Sequence, residues 1–128
     1  GDSIQIDTGS YARTLVLDLE HGEVLVMAWL PGQRSPIHDH AGSACAVKVV
    51  SGSAVERIFR KRPDALVERD GVRRHVPGQV TCSFDADIHS MENAVDRPAS
   101  PRDILVTVHV YSPPLAPTRK YEQAPQTT

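Results

Sequence analysis

Apolar residues fall in short runs rich in Val, Ile, Leu and Thr, each stopped by Gly, Pro or Asp. Runs of this length and composition predict successive β-strands. RTLVLDL (13–19) and EVLVMAWL (23–30) flank Glu20-His21-Gly22 as a hairpin, and CAVKVV (45–50) leads through Ser51-Gly52 to AVERIFR (54–60). ALVERD (65–70) is expected to turn at Asp70-Gly71 into VRRHV (72–76), because an Asp-Gly pair supplies the positive-φ residues of a tight hairpin. QVTCSF (79–84) and ILVTVHVY (104–111) complete the set, with an aperiodic Asp/Pro/Ser-rich loop at 94–103. No segment carries a convincing helical period. About eight to ten short strands imply an all-β sandwich or closed barrel, since closing a sheet removes its exposed edges.

A length of 128 residues with 40% hydrophobic content suits one core, so a single domain is expected over 1–128. Its core spans about 11–114, and the Pro-rich polar tail 115–128 is expected to fray towards its end. Net charge is −2, and Arg57, Arg60, Lys61 and Arg62 alternate with apolar residues and are followed by Asp64. That pattern makes no basic face, which argues against a nucleic-acid partner and for a small molecule. No charged leader precedes an apolar segment, and no apolar run approaches the ~20 residues of a membrane span. A soluble, cytoplasmic, monomeric protein is the expectation. The 2 cysteines, Cys45 and Cys82, are too few for a disulfide scaffold and would stay reduced in a cytosol.

Candidate chemistry concentrates in HDHAGSAC (38–45). On a strand, His38 and His40 at i and i+2 would share a face and could share a metal ion. Alone, an HxH is weak evidence, since two surface histidines on a half-exposed strand are common. The flanks narrow the choice: Gly32 lies before the pair, Cys45 after it, and Gly52 beyond. This spacing resembles the first motif of the cupin superfamily, G-x5-HxH-x3–4-E-x6-G, with Cys45 in place of the glutamate. IHSMEN (88–93), after a Pro77-Gly78 turn, resembles part of the second motif. The resemblance implies a cupin β-barrel, jelly-roll-like, in which His38, His40 and His89 form a three-histidine metal site. Imidazoles suit Fe, Zn, Cu and Ni alike. Three neutral ligands would leave a divalent ion its full charge, favouring an anionic ligand such as a thiolate.

Three segments make the likeness narrower. SPIHDHAGSACAVKVVSG (35–52), IHSMEN (88–93) and TVHVYSPP (107–114) are similar to the cysteine dioxygenase family, from about Tyr11 to Pro114. Membership would imply oxidation of L-cysteine to cysteine sulfinic acid by O2 at a non-haem Fe(II). By the same resemblance, Tyr111 faces the reacting atoms, His109 holds its hydroxyl and Thr107, replacing a serine, supports His109. Cys45 and Tyr111 would be joined by a thioether bond. SYARTLV resembles the substrate-flanking segment, so Arg13 would grip the substrate carboxylate, assisted by Tyr11. Ser112-Pro113 matches a bond that is cis in the family.

Several residues receive plainer roles. Trp29 is expected to pack, Asp39 to be structural, Glu92 and Asn93 to anchor the loop after His89, and Cys82, His21 and His75 to have no special part. Two other functions share the features: dioxygenation of 3-mercaptopropionate or another small thiol, and a non-catalytic metal-binding cupin that senses a small ligand.

Overall fold

The computed structural model describes residues 6–7, 9–84, 87–95, 100 and 102–125. Among the described residues eight strands appear, in the order β1 (Ala12–Leu19), β2 (Gly22–Trp29), β3 (Ala44–Ser51), β4 (Ala54–Lys61), β5 (Val67–His75), β6 (Val80–Ser83), β7 (Ile88–Glu92) and β8 (Leu105–Ser112). All strand pairs are antiparallel. They form a five-stranded sheet, β1-β2-β8-β3-β6, and a three-stranded sheet, β5-β4-β7. Among the described residues no helix is long and apolar enough to cross a membrane.

The period-2 pattern explains which residues meet inside. Leu25, Met27 and Trp29 of β2 alternate inward, as do Cys45, Val47 and Val49 of β3, and they pack with Ala54, Met91, Leu105 and Tyr111 in one buried cluster. A second cluster joins Phe59, Val67 and Ile88, with Ile37 and Tyr121 packed against it. The β3–β4 turn brings Gly52 to φ +79, and a Cβ there would lie 2.8 Å from the Ile104 carbonyl oxygen. Both the dihedral and the close approach require glycine.

Four expectations change. Asp70-Gly71 makes no hairpin: β5 runs unbroken alongside β4, and the pair sits at a bulge where Ile58 faces Gly71 and Phe59 faces Arg69. A full-length partner strand outweighs the local turn preference, and the chain reverses instead at Arg62–Leu66, where Ala65 takes φ 68 and Asp64 caps the Leu66 amide. IHSMEN contributes a strand of its own, β7. His38 and His40 do not lie on a regular strand but in the connection between β2 and β3, where His38 makes isolated bridges to His89 and Lys120. The tail packs over residues 119–124: Tyr121 N–H donates to the Ile37 carbonyl, Ala124 N–H to the Val67 carbonyl, and Ala124 is buried. Much of the expected loop at 94–103, and the end of the tail at 126–128, lie outside the described residues.

Candidate metal centre

His89 sits on β7, and its backbone exchanges two hydrogen bonds of 3.0 Å with His38. That bridge ties the HxH connection to the small sheet and brings three imidazoles together, so that one ligand nitrogen from each of His38, His40 and His89 lies within 4.8 Å of the others. The opposite ring nitrogens settle the tautomers. His38 Nδ1 is 2.7 Å from the Pro36 carbonyl, His40 Nδ1 is 3.0 Å from the Asp87 carbonyl, and His89 Nδ1 is 2.7 Å from Glu56 Oε2. Each acceptor requires a proton on Nδ1, so the lone pair of the neutral ring falls on Nε2. His40 Nε2 and His89 Nε2 then face each other at 3.1 Å, an arrangement of two lone pairs that is repulsive unless a cation lies between them. The donor set therefore fits a metal ion.

Burial, reinforced by the neighbouring imidazoles, lowers the His38 pKa to about 4, and burial also lowers that of His40. Both stay neutral at pH 7, the state in which histidine ligates metals.

On β8, Thr107, His109 and Tyr111 alternate and all face inward, whereas Val110 is exposed. Thr107 Oγ1 is 2.7 Å from His109 Nε2, and the Tyr111 hydroxyl is 3.3 Å from His109 Nδ1. The run extends one residue further than the sequence reading had it: Trp29 Nε1–H donates to Thr107 Oγ1 at 3.0 Å, so Trp29 is a hydrogen-bond donor as well as a packing residue. Since Thr107 accepts from Trp29, its own proton is available to His109 Nε2. His109 Nδ1 then carries a proton for the Tyr111 oxygen, and the Tyr111 proton is left for the cavity or for Cys45. Burial holds His109 neutral, its pKa lowered to about 3.

Cys45 on β3 lies directly opposite Tyr111 on β8, and the two buried side chains are hydrogen-bonded. Burial pushes the Cys45 thiol up to about 12 and raises the Tyr111 phenol as well. At neutral pH Cys45 is a thiol and not a thiolate, so it does not compete as an anionic metal ligand.

A cavity of about 90 Å³ brings several of these groups together: its lining includes His38, His89, His109, Tyr111 and Cys45, with Tyr11, Arg13 and Trp29. Tyr11 stacks on Trp29 with ring centroids 4.4 Å apart. Lys120, from the packed tail, lines the same cavity.

The residues given plainer roles divide. Asp39 accepts from Arg119 N–H and from the Tyr121 hydroxyl, both at 3.0 Å, which pins the tail beside the HxH connection. Asn93 Nδ2 donates at 2.8 Å to the carbonyls of Trp29 and Asp103, while Glu92 pairs with Arg57 at 2.7 Å. Cys82 and His21 are exposed. His75 differs from its expected plain role, because its Nε2 is 2.8 Å from Glu56 Oε1, on the same carboxylate that holds His89. Glu56 was missed altogether. Burial alone would raise its pKa, but the hydrogen bonds from His89 and His75 win and hold it at about 2. Its signal lay in AVERIFR, where alternation puts Glu56 on the face of Ala54 and Ile58.

Comparison with known proteins converges on the same picture. The family model for cysteine dioxygenase type I matches residues 3–124. Human cysteine dioxygenase type 1 is 28% identical over 127 residues, covering 93% of this chain and 59% of the human protein. The chain thus spans 59% of the length of that curated relative. Among solved structures, a Klebsiella pneumoniae protein with a double-stranded β-helix domain superposes with TM-score 0.72 at 21% identity, covering 94% of this chain and 86% of that one. An RmlC-like cupin protein from Desulfovibrio desulfuricans gives TM-score 0.61 at 18% identity, with 89% and 92% covered. The fold is a cupin barrel, and with nearly its whole length matched, this chain belongs to the cysteine dioxygenase type I family.

Proposed function

We propose that the chain is a thiol dioxygenase that oxidises L-cysteine to cysteine sulfinic acid, adding both atoms of O2 to sulfur, with Fe(II) held by His38, His40 and His89. The observation that carries this reading is the clustering of one ligand nitrogen each from His38, His40 and His89, with His38 and His89 lining a cavity that Arg13, Tyr11 and Tyr111 also line. Fe(II) bound there would supply activation of the thiol, by favouring its thiolate, and of O2.

The chain's own residues do the rest. Arg13 pairs with the substrate carboxylate through its planar fork, and Tyr11, braced on Trp29, closes the cavity beside it. Tyr111 presents its hydroxyl to the reacting atoms, held in direction by His109, Thr107 and Trp29. Cys45 is the covalent partner of Tyr111: a carbon–sulfur bond forms, and the two hydrogens lost are taken up by O2. Their facing positions on β3 and β8 support that assignment.

Steady-state O2 consumption by the Fe(II)-loaded protein, with sulfinate identified by mass spectrometry, tests the reading. Cysteine is expected to be turned over, and a His89→Ala variant is expected to be inactive. Uptake no greater than that of His89→Ala would favour a ligand-binding module. Lys120 puts a second cation on the same cavity and so favours, as a second reading, a different mercapto-acid such as 3-mercaptopropionate. Equal or faster turnover of that amine-free thiol would displace cysteine as the substrate.

A further inference from the structure

The three-stranded sheet carries a row of buried polar side chains that the thiol chemistry does not itself require. In the register, His75 on β5 faces Ala54 and His89 on β7 faces Ile58, two positions either side of Glu56 on the central strand β4. The pleat therefore turns all three side chains to one face, and all three are buried. Glu56 Oε2 accepts from His89 Nδ1–H at 2.7 Å, and Oε1 accepts from His75 Nε2–H at 2.8 Å.

A buried carboxylate is costly unless its lone pairs are filled, and a packed apolar residue serves stability as well or better. The charge has a use at the other end of the row. A carboxylate on Nδ1–H fixes the tautomer and plane of a ligating imidazole and makes its Nε2 a stronger donor. Glu56 attached through one oxygen could still turn about its last torsion. His75 occupies the second oxygen and fixes the carboxylate plane.

We infer that His75 is a positioning residue for the ligand His89, acting through Glu56, so that metal affinity is set partly on β5, two strands away from the bound ion. The inference rests on the three-histidine reading above. It assigns His75 a role in metal binding distinct from any role in folding.

The test uses the full chain, stripped of metal and titrated with Co(II) against a competing chelator, with the visible d–d bands recorded. His75→Leu removes the donor and is expected to weaken Co(II) about 10- to 100-fold, the range for lost outer partners of metal ligands, and to shift the bands. His75→Gln places an amide N–H near the position of Nε2, so it is expected to bind within about threefold of the wild type. Thermal unfolding of the metal-free variants separates folding from affinity, since a purely structural role would lower Tm and leave Co(II) affinity and bands unmoved. Wild-type affinity and bands in His75→Leu would overturn the inference, and so would an equal loss in His75→Gln. If His75→Leu does not fold, His75→Asn replaces it: its shorter amide cannot reach Glu56, and binding as tight as in His75→Gln overturns the inference. Equal Co(II) binding by the wild type and His89→Ala would bring down the three-histidine reading and this inference together. Tight wild-type binding, lost in His89→Ala but unchanged in His75→Leu, would bring down this inference alone.

Discussion

Thr107 is fully buried and holds two polar groups at once, Trp29 Nε1–H and His109 Nε2. Replacing it by Val keeps the shape and removes the oxygen. Two buried groups then lose their partner, at about 1–3 kcal/mol each, or roughly 2–6 kcal/mol together. Replacing it by Ser keeps the oxygen and deletes one methyl group, which costs about 1 kcal/mol in transfer free energy. In a chain of this size each kcal/mol moves Tm by about 3–5 °C, so Thr107→Val is expected to melt about 6–30 °C below the wild type and Thr107→Ser within a few degrees. Urea unfolding of the metal-free proteins gives the same order in free energy. Thr107→Ser is also expected to retain cysteine turnover, while Thr107→Val leaves His109 and hence Tyr111 without fixed direction. A Thr107→Val protein at least as stable as Thr107→Ser would refute the reasoning, because burial of the methyl group would then outweigh the hydrogen bonds.

Four further outcomes are expected. His109 has a folded pKa of about 3 against 6.5 for the free side chain, so the stability it contributes is present above pH 6.5 and is lost as pH falls towards 3; urea titrations across that window should show a shallower loss in His109→Gln. Intact mass after turnover should fall by the two hydrogens of the thioether, and Cys45→Ala should show no deficit; quantitative thiol labelling of Cys45 in turned-over protein would count against the bond. Asp39→Ala removes two charge-assisted contacts to the tail, so amide exchange at Tyr121 and Ala124 should quicken about tenfold or more while that of β2 and β8 stays put. Gly52→Ala meets both a left-handed φ and the Ile104 carbonyl oxygen at 2.8 Å, so a loss of about 2 kcal/mol or more is expected in denaturant unfolding, and a neutral result would mean that the turn relaxes.

Alternation made most of the barrel legible. Runs such as EVLVMAWL and ILVTVHVY carry their inward residues at every second position, and the structure buries those residues. Local signals misled where a distant partner decided the outcome. Asp-Gly is a strong turn pair, but β4 offered β5 a continuous ladder and reduced the pair to a bulge. The tail is polar and Pro-rich, and its order comes from backbone bonds to Ile37 and Val67 and from Asp39, none of which its own composition reveals. Within the site, the three clustered histidines and the Thr107–His109–Tyr111 alternation could be found from spacing and resemblance. His75 and Glu56 could not be paired that way, because their contact depends on the register of β4 and β5 and has no fixed separation along the chain.

The bridge of His38 to both His89 and Lys120 has a practical consequence for anyone handling this protein. One side of the HxH connection leans on the barrel and the other on the packed tail. A protein shortened after Pro114 would retain every strand and could pass as native by circular dichroism, yet it would lack one of the two supports of a proposed metal ligand. Bulky tags joined close behind Ala124 carry the same hazard. Metal content, rather than secondary structure, is the measure by which preparations with altered C-termini should be judged.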